Sequence, residues 1–157
     1  MKIRPATMAD MDSICRLYDT LFREMADLQR DYFQMTSQNR DFLSSVIEGE
    51  AGDVLLAEEE DSLIGFALVQ ESSTPPFGCL IPHRYAYLMD ACVAEEQRSR
   101  GIGRLLIEAV KTWSEERNLD YVELNVLSNN TRAIALYERE GFAEEMRTMR
   151  CKLKKDG

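Results

Sequence analysis

Two glycines two residues apart, flanked by three arginines and followed at once by a helix-like apolar run, make Arg98-Ser99-Arg100-Gly101-Ile102-Gly103-Arg104 the chemically most telling stretch of this chain. The first amides of a helix have no intrahelical partner, and glycines let backbone approach a ligand closely. The pattern therefore describes a cradle for a phosphate-like anion, with the helix dipole behind it. A dinucleotide fingerprint would need a third glycine at position 106, where Leu106 stands, and no Gly-Lys-Ser/Thr sequence occurs anywhere. Both nucleotide-binding loops are disfavoured.

About thirty residues on, Asn130 to Phe142 carries a second set of polar groups on a helix pattern. Asn130 stands at its start as a side-chain cap, Tyr137 lies inside it, and Gly141 stops it. Taken alone, Tyr137 is better explained by a ring that covers the core than by a working hydroxyl.

The elements that must position these groups read as an α/β order. Lys2 to Arg4 forms a short strand. Ala9 to about Arg23 is an amphipathic helix with Met11, Ile14, Cys15, Leu17, Tyr18, Leu21 and Phe22 on one stripe. Asp41 to Ile47 is a second helix that ends at Gly49 and Gly52. Val54 to Ala57 and Leu63 to Val69 are strands joined by an acidic turn, and Ser72 to His83, with Pro75, Pro76, Gly78 and Pro82, is a loop. Tyr85 to Val93 is a buried strand leading into the cradle, followed by a helix to about Arg117 and a strand from Tyr121 to Leu127. After the helix at 130 to 140, a closing strand is expected over Met146 to Leu153.

Composition narrows the class. A chain of 157 residues that is 45% hydrophobic fits a single domain with a real core. With no long apolar run and no export-like amino terminus, a cytoplasmic location away from membranes is expected. The four cysteines, Cys15, Cys79, Cys92 and Cys151, are scattered without a paired motif and read as reduced thiols. One histidine, His83, makes a metal centre an unattractive reading. A formal charge of −9 repels nucleic acid and attracts amines. Against it stand two local basic groups: Arg98, Arg100 and Arg104 at the loop, and Lys152, Lys154 and Lys155 near the end. A basic island on an acidic protein suits one bound polyanion.

Arg98-x-x-Gly101-x-Gly103 after an apolar strand, followed by Asn130-x-x-Ala133-x-x-x-Tyr137-x-x-x-Gly141-Phe142 after another, resembles the GCN5-related N-acetyltransferases. Members of that family move acetyl from acetyl-CoA to an amine. Ile3-Arg4-Pro5-Ala6-Thr7-x-x-Asp10 is similar to the family's opening strand and helix start. The resemblance implies a single α/β domain: a mixed, mostly antiparallel sheet with helices on both faces and a splayed central strand pair. It also implies that acetyl-CoA is the cosubstrate and that no metal takes part.

Carried over residue by residue, Ala91, Cys92 and Val93 would meet the pantetheine arm through their main chain. The amides of Arg98, Arg100, Gly101, Gly103 and Arg104 would hold the pyrophosphate, with Asn130 also touching CoA. Tyr137 would bind CoA and hand a proton to the departing thiolate. For the base the family pattern gives less, because Asn125 stands where members that acetylate protein amino termini often carry a glutamate, and an amide is no base. Asp90, Glu123 and Tyr87 are the remaining candidates, acting directly or through water, with His83 a further titratable group near the strand.

The short end of the chain also departs from relatives that cover the acceptor with a broad terminal loop. The acceptor pocket would then be shaped by residues 24–40 and the Pro-rich loop 72–83, open enough for a small amine or a peptide. Two readings outside catalysis remain. One is a noncatalytic acyl-CoA-binding module, and the other a structural protein whose loop binds phosphate incidentally. A homodimer is expected on the resemblance alone.

Overall fold

A computed structural model describes residues 1–154; Lys155, counted above in the terminal basic group, lies outside them. Five strands form one sheet in the order β1-β2-β3-β4-β5, where β1 is Lys2–Pro5, β2 Gly52–Glu59, β3 Ser62–Ser73, β4 Arg84–Val93 and β5 Val122–Glu123. The first four pair antiparallel, while β4 and β5 run parallel. Four helices accompany them: α1 Met11–Leu28, α2 Arg40–Glu48, α3 Ile102–Glu116 and α4 Thr131–Arg139. This is the single-domain α/β architecture with a mostly antiparallel sheet that the sequence leads one to expect.

Both faces of the sheet are covered, which is why β2 and β3 read as near-continuous apolar runs rather than alternating ones. Val54, Leu56, Phe66, Leu68 and Cys92 pack under α1 and α2 with Ile14, Tyr18 and Leu43. Leu55, Ala57, Ala67, Val69, Ala86 and Leu88 pack on the opposite face against Ile102, Leu106, Val110 and Trp113 of α3. The β2–β3 turn is tight, with Glu60 and Asp61 both left-handed at φ 51° and 63°. The chain entry into α1 is clamped: Arg4 reaches Asp10 through two hydrogen bonds of 2.9 Å and Glu58 through one of 2.8 Å. The Arg4 guanidinium holds the Asp10 carboxyl down at about 2, so this clamp weakens only as acid protonates it.

Several elements differ from their sequence pattern. α1 continues five residues past Arg23 to Leu28, and Glu24 on that added stretch bonds Arg98. β5 pairs with β4 only at Val122 and Glu123, with the Tyr121 carbonyl accepting from the Ala86 amide at 2.9 Å, and the strand does not run on to Leu127. The closing strand over Met146 to Leu153 does not form: these residues are extended by pattern but have no neighbouring strand, and residues 143–154 are exposed throughout.

Candidate functional site

β4 is the axis of the site. It is paired along its length with β3, but its other edge meets β5 only at Ala86↔Val122 and Tyr87↔Glu123. Beyond that point the two strands part. A register shift accompanies the parting: Val69 faces Leu88 and Leu68 faces Asp90, so Met89 is an extra residue, a bulge that bends β4 and increases its twist. From Met89 to Val93 the strand has a free edge.

Which backbone groups line that edge follows from the ladder. Ala94 donates to the Ile64 carbonyl at 2.8 Å, so the even-numbered residues above the bulge turn their amides and carbonyls toward β3. Ala91 and Val93 turn theirs to the cleft. The backbone groups of Cys92, expected alongside them, belong to the β3 ladder, and its thiol is buried 3.6 Å from the Leu17 carbonyl with its pKa pushed up to about 11 by burial. Cys92 is thus neither a cleft contact nor a thiolate. The Val93 carbonyl is taken by Nε of Arg98 at 3.1 Å, which leaves the Val93 amide and both groups of Ala91.

The cradle follows directly. After a short 3-10 turn at Glu95–Gln97, Ser99 and Gly101 adopt left-handed φ of 67° and 80°, and α3 starts at Ile102. No backbone carbonyl among the described residues accepts from the amides of Ser99 through Arg104, and no side chain caps the helix. The Arg98 amide is different, donating to the Glu95 carbonyl. Gly103 has a second reason to be glycine: a Cβ there would lie 2.9 Å from Leu136 Cδ2, where α4 leans on α3.

The arginines that make the sequence look like a basic island are already paired. Arg98 binds Glu24 at 2.5 Å, Arg100 binds Glu59 at 2.9 Å, and Arg104 binds Glu108 at 2.9 Å one turn along the helix. Arg98 is the most enclosed and ties the loop to both β4 and α1. The pairs of Arg100 and Arg104 are solvent-exposed and weak, free to trade a carboxylate for a phosphate. What the loop offers without rearrangement is main-chain N–H.

Asn130 caps α4, its side-chain oxygen accepting from the Ala133 amide at 3.2 Å. That bond accounts for the residue and leaves its Nδ2 group for other use. Tyr137 is half-buried, its ring 5.7 Å from that of Phe142 and packed with the α3-side cluster. Burial and the Asp90 charge raise its pKa above the ordinary tyrosine value, so it stays protonated.

Of the candidate bases, Asp90 is placed at the bulge but turned under α1. Its carboxylate accepts from the Tyr18 hydroxyl at 2.7 Å, and burial raises its pKa. Tyr18, fully buried between Phe22 and Phe66, was read in the sequence only as part of an apolar stripe. The available signal is that a tyrosine mid-stripe needs a partner for its hydroxyl. Glu123 and Asn125 lie where β4 and β5 part. Asn125 Nδ2 donates to the Tyr87 hydroxyl at 3.1 Å, on the strand that pairs Tyr87 with Glu123, and Glu123 is exposed. His83 instead faces Asp120 at 2.7 Å beside the stacked rings of Tyr85 and Tyr121. It precedes a ten-residue strand whose far end is the cradle, which is about 30 Å away at the usual rise per residue.

Comparison with known proteins agrees with this geometry. The chain matches the Acetyltransferase (GNAT) family over residues 13–142. It is 28% identical over 148 residues to the uncharacterized N-acetyltransferase YhfO of Bacillus subtilis, covering 92% of this chain and 91% of that protein. The crystal structure of a mutant BH1408 protein from Bacillus halodurans superimposes with a TM-score of 0.93 at 28% identity, over 98% of this chain and 100% of that one. An aminoglycoside N-acetyltransferase, AAC(6')-Iy, in complex with CoA shares the fold with a TM-score of 0.71 at 19% identity, over 98% and 99% of the two chains. The chain belongs to the GNAT acetyltransferase family.

Proposed function

We propose that this family member transfers acetyl from acetyl-CoA to a primary amine, by direct attack while both substrates are bound. The observation that carries the reading is a run of unpartnered amides, Ser99 to Arg104, continuous with the free edge of a strand that has parted from its neighbour. An anion site joined to an extended backbone edge matches a ligand with a pyrophosphate at one end and an amide-bearing arm leading from it. The amides of Arg100, Gly101, Gly103 and Arg104 would take the pyrophosphate. Ala91 and Val93 would pair with the pantetheine arm, and Asn130 would contact it from α4.

The chemistry then follows from the groups at the parting of the strands. The amine nitrogen attacks the thioester carbonyl, the carbonyl oxygen gains charge, and a free amide at the β4 edge stabilises it. As the carbon–sulfur bond breaks, Tyr137 gives its proton to the sulfur. With its pKa raised above the ordinary tyrosine value, the hydroxyl carries its proton at neutral pH and gives it up only as charge builds on the sulfur. The proton lost by the amine returns to the tyrosine by way of water. Glu123, beside the Tyr87–Asn125 pair, is the carboxylate on that face able to accept it first. Asp90 acts at one remove: its buried charge bears on Tyr137, and its own proton affinity is used in holding Tyr18.

Release of free thiol from acetyl-CoA, measured across a panel of small amines, amino acids and peptides, tests the reading. Amine-dependent release supports it. A second reading, a noncatalytic acyl-CoA-binding module, draws on Asn125, whose amide is committed to Tyr87 at a position where a base would be useful. Tight CoA binding with no amine-dependent thiol release across the panel would favour that alternative.

A further inference from the structure

We infer that Glu24 is a positioning residue: its one carboxylate ties the strand end that offers the Val93 amide to the helix that carries Tyr137, and so sets the spacing of those two groups across the cleft. The inference rests on the acetyl-transfer reading for what the two groups do. Past Tyr87 and Glu123 no ladder bond joins β4 to β5 among the described residues, so the walls of the cleft keep their distance only if other elements hold them. On the α3 side α4 leans on α3, where Leu136 meets Gly103. On the α1 side the tie is the end of α1 itself.

Glu24 and Leu28 stand one turn apart on α1, so both can address the same opening. One oxygen of Glu24 accepts from Arg98 at 2.5 Å, and the other faces Arg132, in the first turn of α4, at 3.7 Å. The Leu28 carbonyl accepts from Asn129 Nδ2 at 2.7 Å, just ahead of the α4 cap. The side chains of Arg98 and Glu24 are 19% and 30% exposed, against 56% and 49% for Arg104 and Glu108, so water screens the Arg98 pair least and it holds more firmly.

Arg98 passes the restraint to the backbone. Its Nε donates to the Val93 carbonyl at 3.1 Å, while the Ala94 amide, the other end of the same peptide unit, donates to the Ile64 carbonyl at 2.8 Å. On the other side of Val93, Cys92 is held in the β3 ladder. With the peptide units on both sides fixed, the Val93 N–H has one direction, as a donor to a developing oxyanion requires. The side chain of Arg98 thus serves the geometry of the strand end. Arg132 carries the same carboxylate's restraint to the opposite wall, on the helix that bears Tyr137.

Glu24→Gln removes the charge and keeps the shape. Amide hydrogen exchange of the full chain needs no substrate: Ala94 should exchange about tenfold faster in the variant and Ala133, in the first turn of α4, about threefold faster, with Phe66 in the middle of the sheet unchanged. Unchanged exchange at Ala94, a response confined to one wall, or an equal rise at Phe66 overturns the inference. In the thiol-release assay kcat should fall about tenfold, whereas CoA affinity should hold or tighten by up to about threefold, because a negative charge beside the cradle is gone. General damage to the fold would weaken both, so a joint loss overturns the inference, as does a wild-type kcat. Added to Arg98→Met, Glu24→Gln should lower kcat by less than about a further twofold; losses that multiply in full would mean that Glu24 does not act through Arg98. Absence of thiol release by the wild type across the amine panel removes the acetyl-transfer reading alone, and the exchange result then decides whether Glu24 ties the two walls.

Discussion

The two halves of β4 do different work with different parts of the residue. Its carboxyl-terminal half, from the bulge at Met89 through Val93 into the cradle, offers main-chain groups: the Ala91 and Val93 edge and the amides from Ser99 to Arg104. Its amino-terminal half, from Arg84 to Leu88, is paired on both edges at Ala86 and Tyr87 and offers side chains: Tyr87 with Asn125, and Glu123 across from it. A backbone site suits a donor that never changes, because amides carry the same chemistry whatever residue bears them. A side-chain site suits an acceptor that differs from one enzyme to the next. The bulge separates the two regimes.

If the donor half works through its backbone, the severest lesion is one that fills it. Gly103→Glu should weaken CoA binding by two orders of magnitude or more, roughly the ~2.8 kcal/mol of losing charge-assisted hydrogen bonds and adding a like charge. Because a Cβ at this position also meets Leu136, Gly103→Ala serves as the reference that isolates packing. Calorimetric titration of CoA into both variants distinguishes them. Equal affinity in Gly103→Glu and wild type, with the fold intact, would remove the cradle from the donor site.

Tyr137 stands where the halves meet, and Tyr137→Phe should lower kcat by roughly ten- to a thousandfold while leaving acetyl-CoA binding nearly unchanged. The ring that packs near Phe142 remains, so stability should hold. In the wild-type enzyme, loss of activity from ionisation of this tyrosine should set in only above pH 10, since its pKa is raised from 10.0. Wild-type kcat in the variant, measured where chemistry limits the rate, would return Tyr137 to a packing role.

Lesions on the acceptor half should be milder and selective. Glu123→Gln should lower the amine-dependent rate by roughly tenfold at neutral pH and spare CoA affinity, as expected for an exposed group that shares proton transfer with water. An equal fall in CoA affinity would mean that the division along β4 is not as drawn. Steady-state rates against varied amine and fixed acetyl-CoA read this directly.

The smallest effect is expected beneath the bulge. The folded-state pKa of Asp90 is raised, so its contribution to stability is fully present below the unfolded value of 3.8 and is lost as pH rises through the folded value. As pH rises through that folded value the site takes on a buried charge. Asp90→Asn keeps an acceptor for the Tyr18 hydroxyl and removes that charge. Its Tm at pH 7 should equal or exceed that of wild type, and the gap should close toward pH 4. A large loss of Tm at pH 7 would show that the Tyr18 bond needs the carboxylate.

Much of this architecture was legible before any tertiary contact was known. Gly101, Gly103, Asn130 and Gly141 are punctuation that acts within a few residues, and the apolar stripe of α1 and the strand into Val93 report burial directly. Local signals of that kind specify where a helix starts and which amides it leaves open. The sequence also showed three arginines at the cradle without showing that Arg98 and Arg100 each have an acid, because Glu24 and Glu59 come from 74 and 41 residues earlier. The bulge at Met89, which decides that Ala91 and Val93 rather than Cys92 face the cleft, is a register relation between two strands and has no signature in either one. The bond of Tyr18 to Asp90 spans 72 residues. The expected closing strand shows the same division from the other side: residues 146–153 carry the period of a strand, but a strand exists only beside another, and pairing is settled by the tertiary arrangement of edges. Chain chemistry determined which groups this protein owns. Only folding decided which of them remain without a partner.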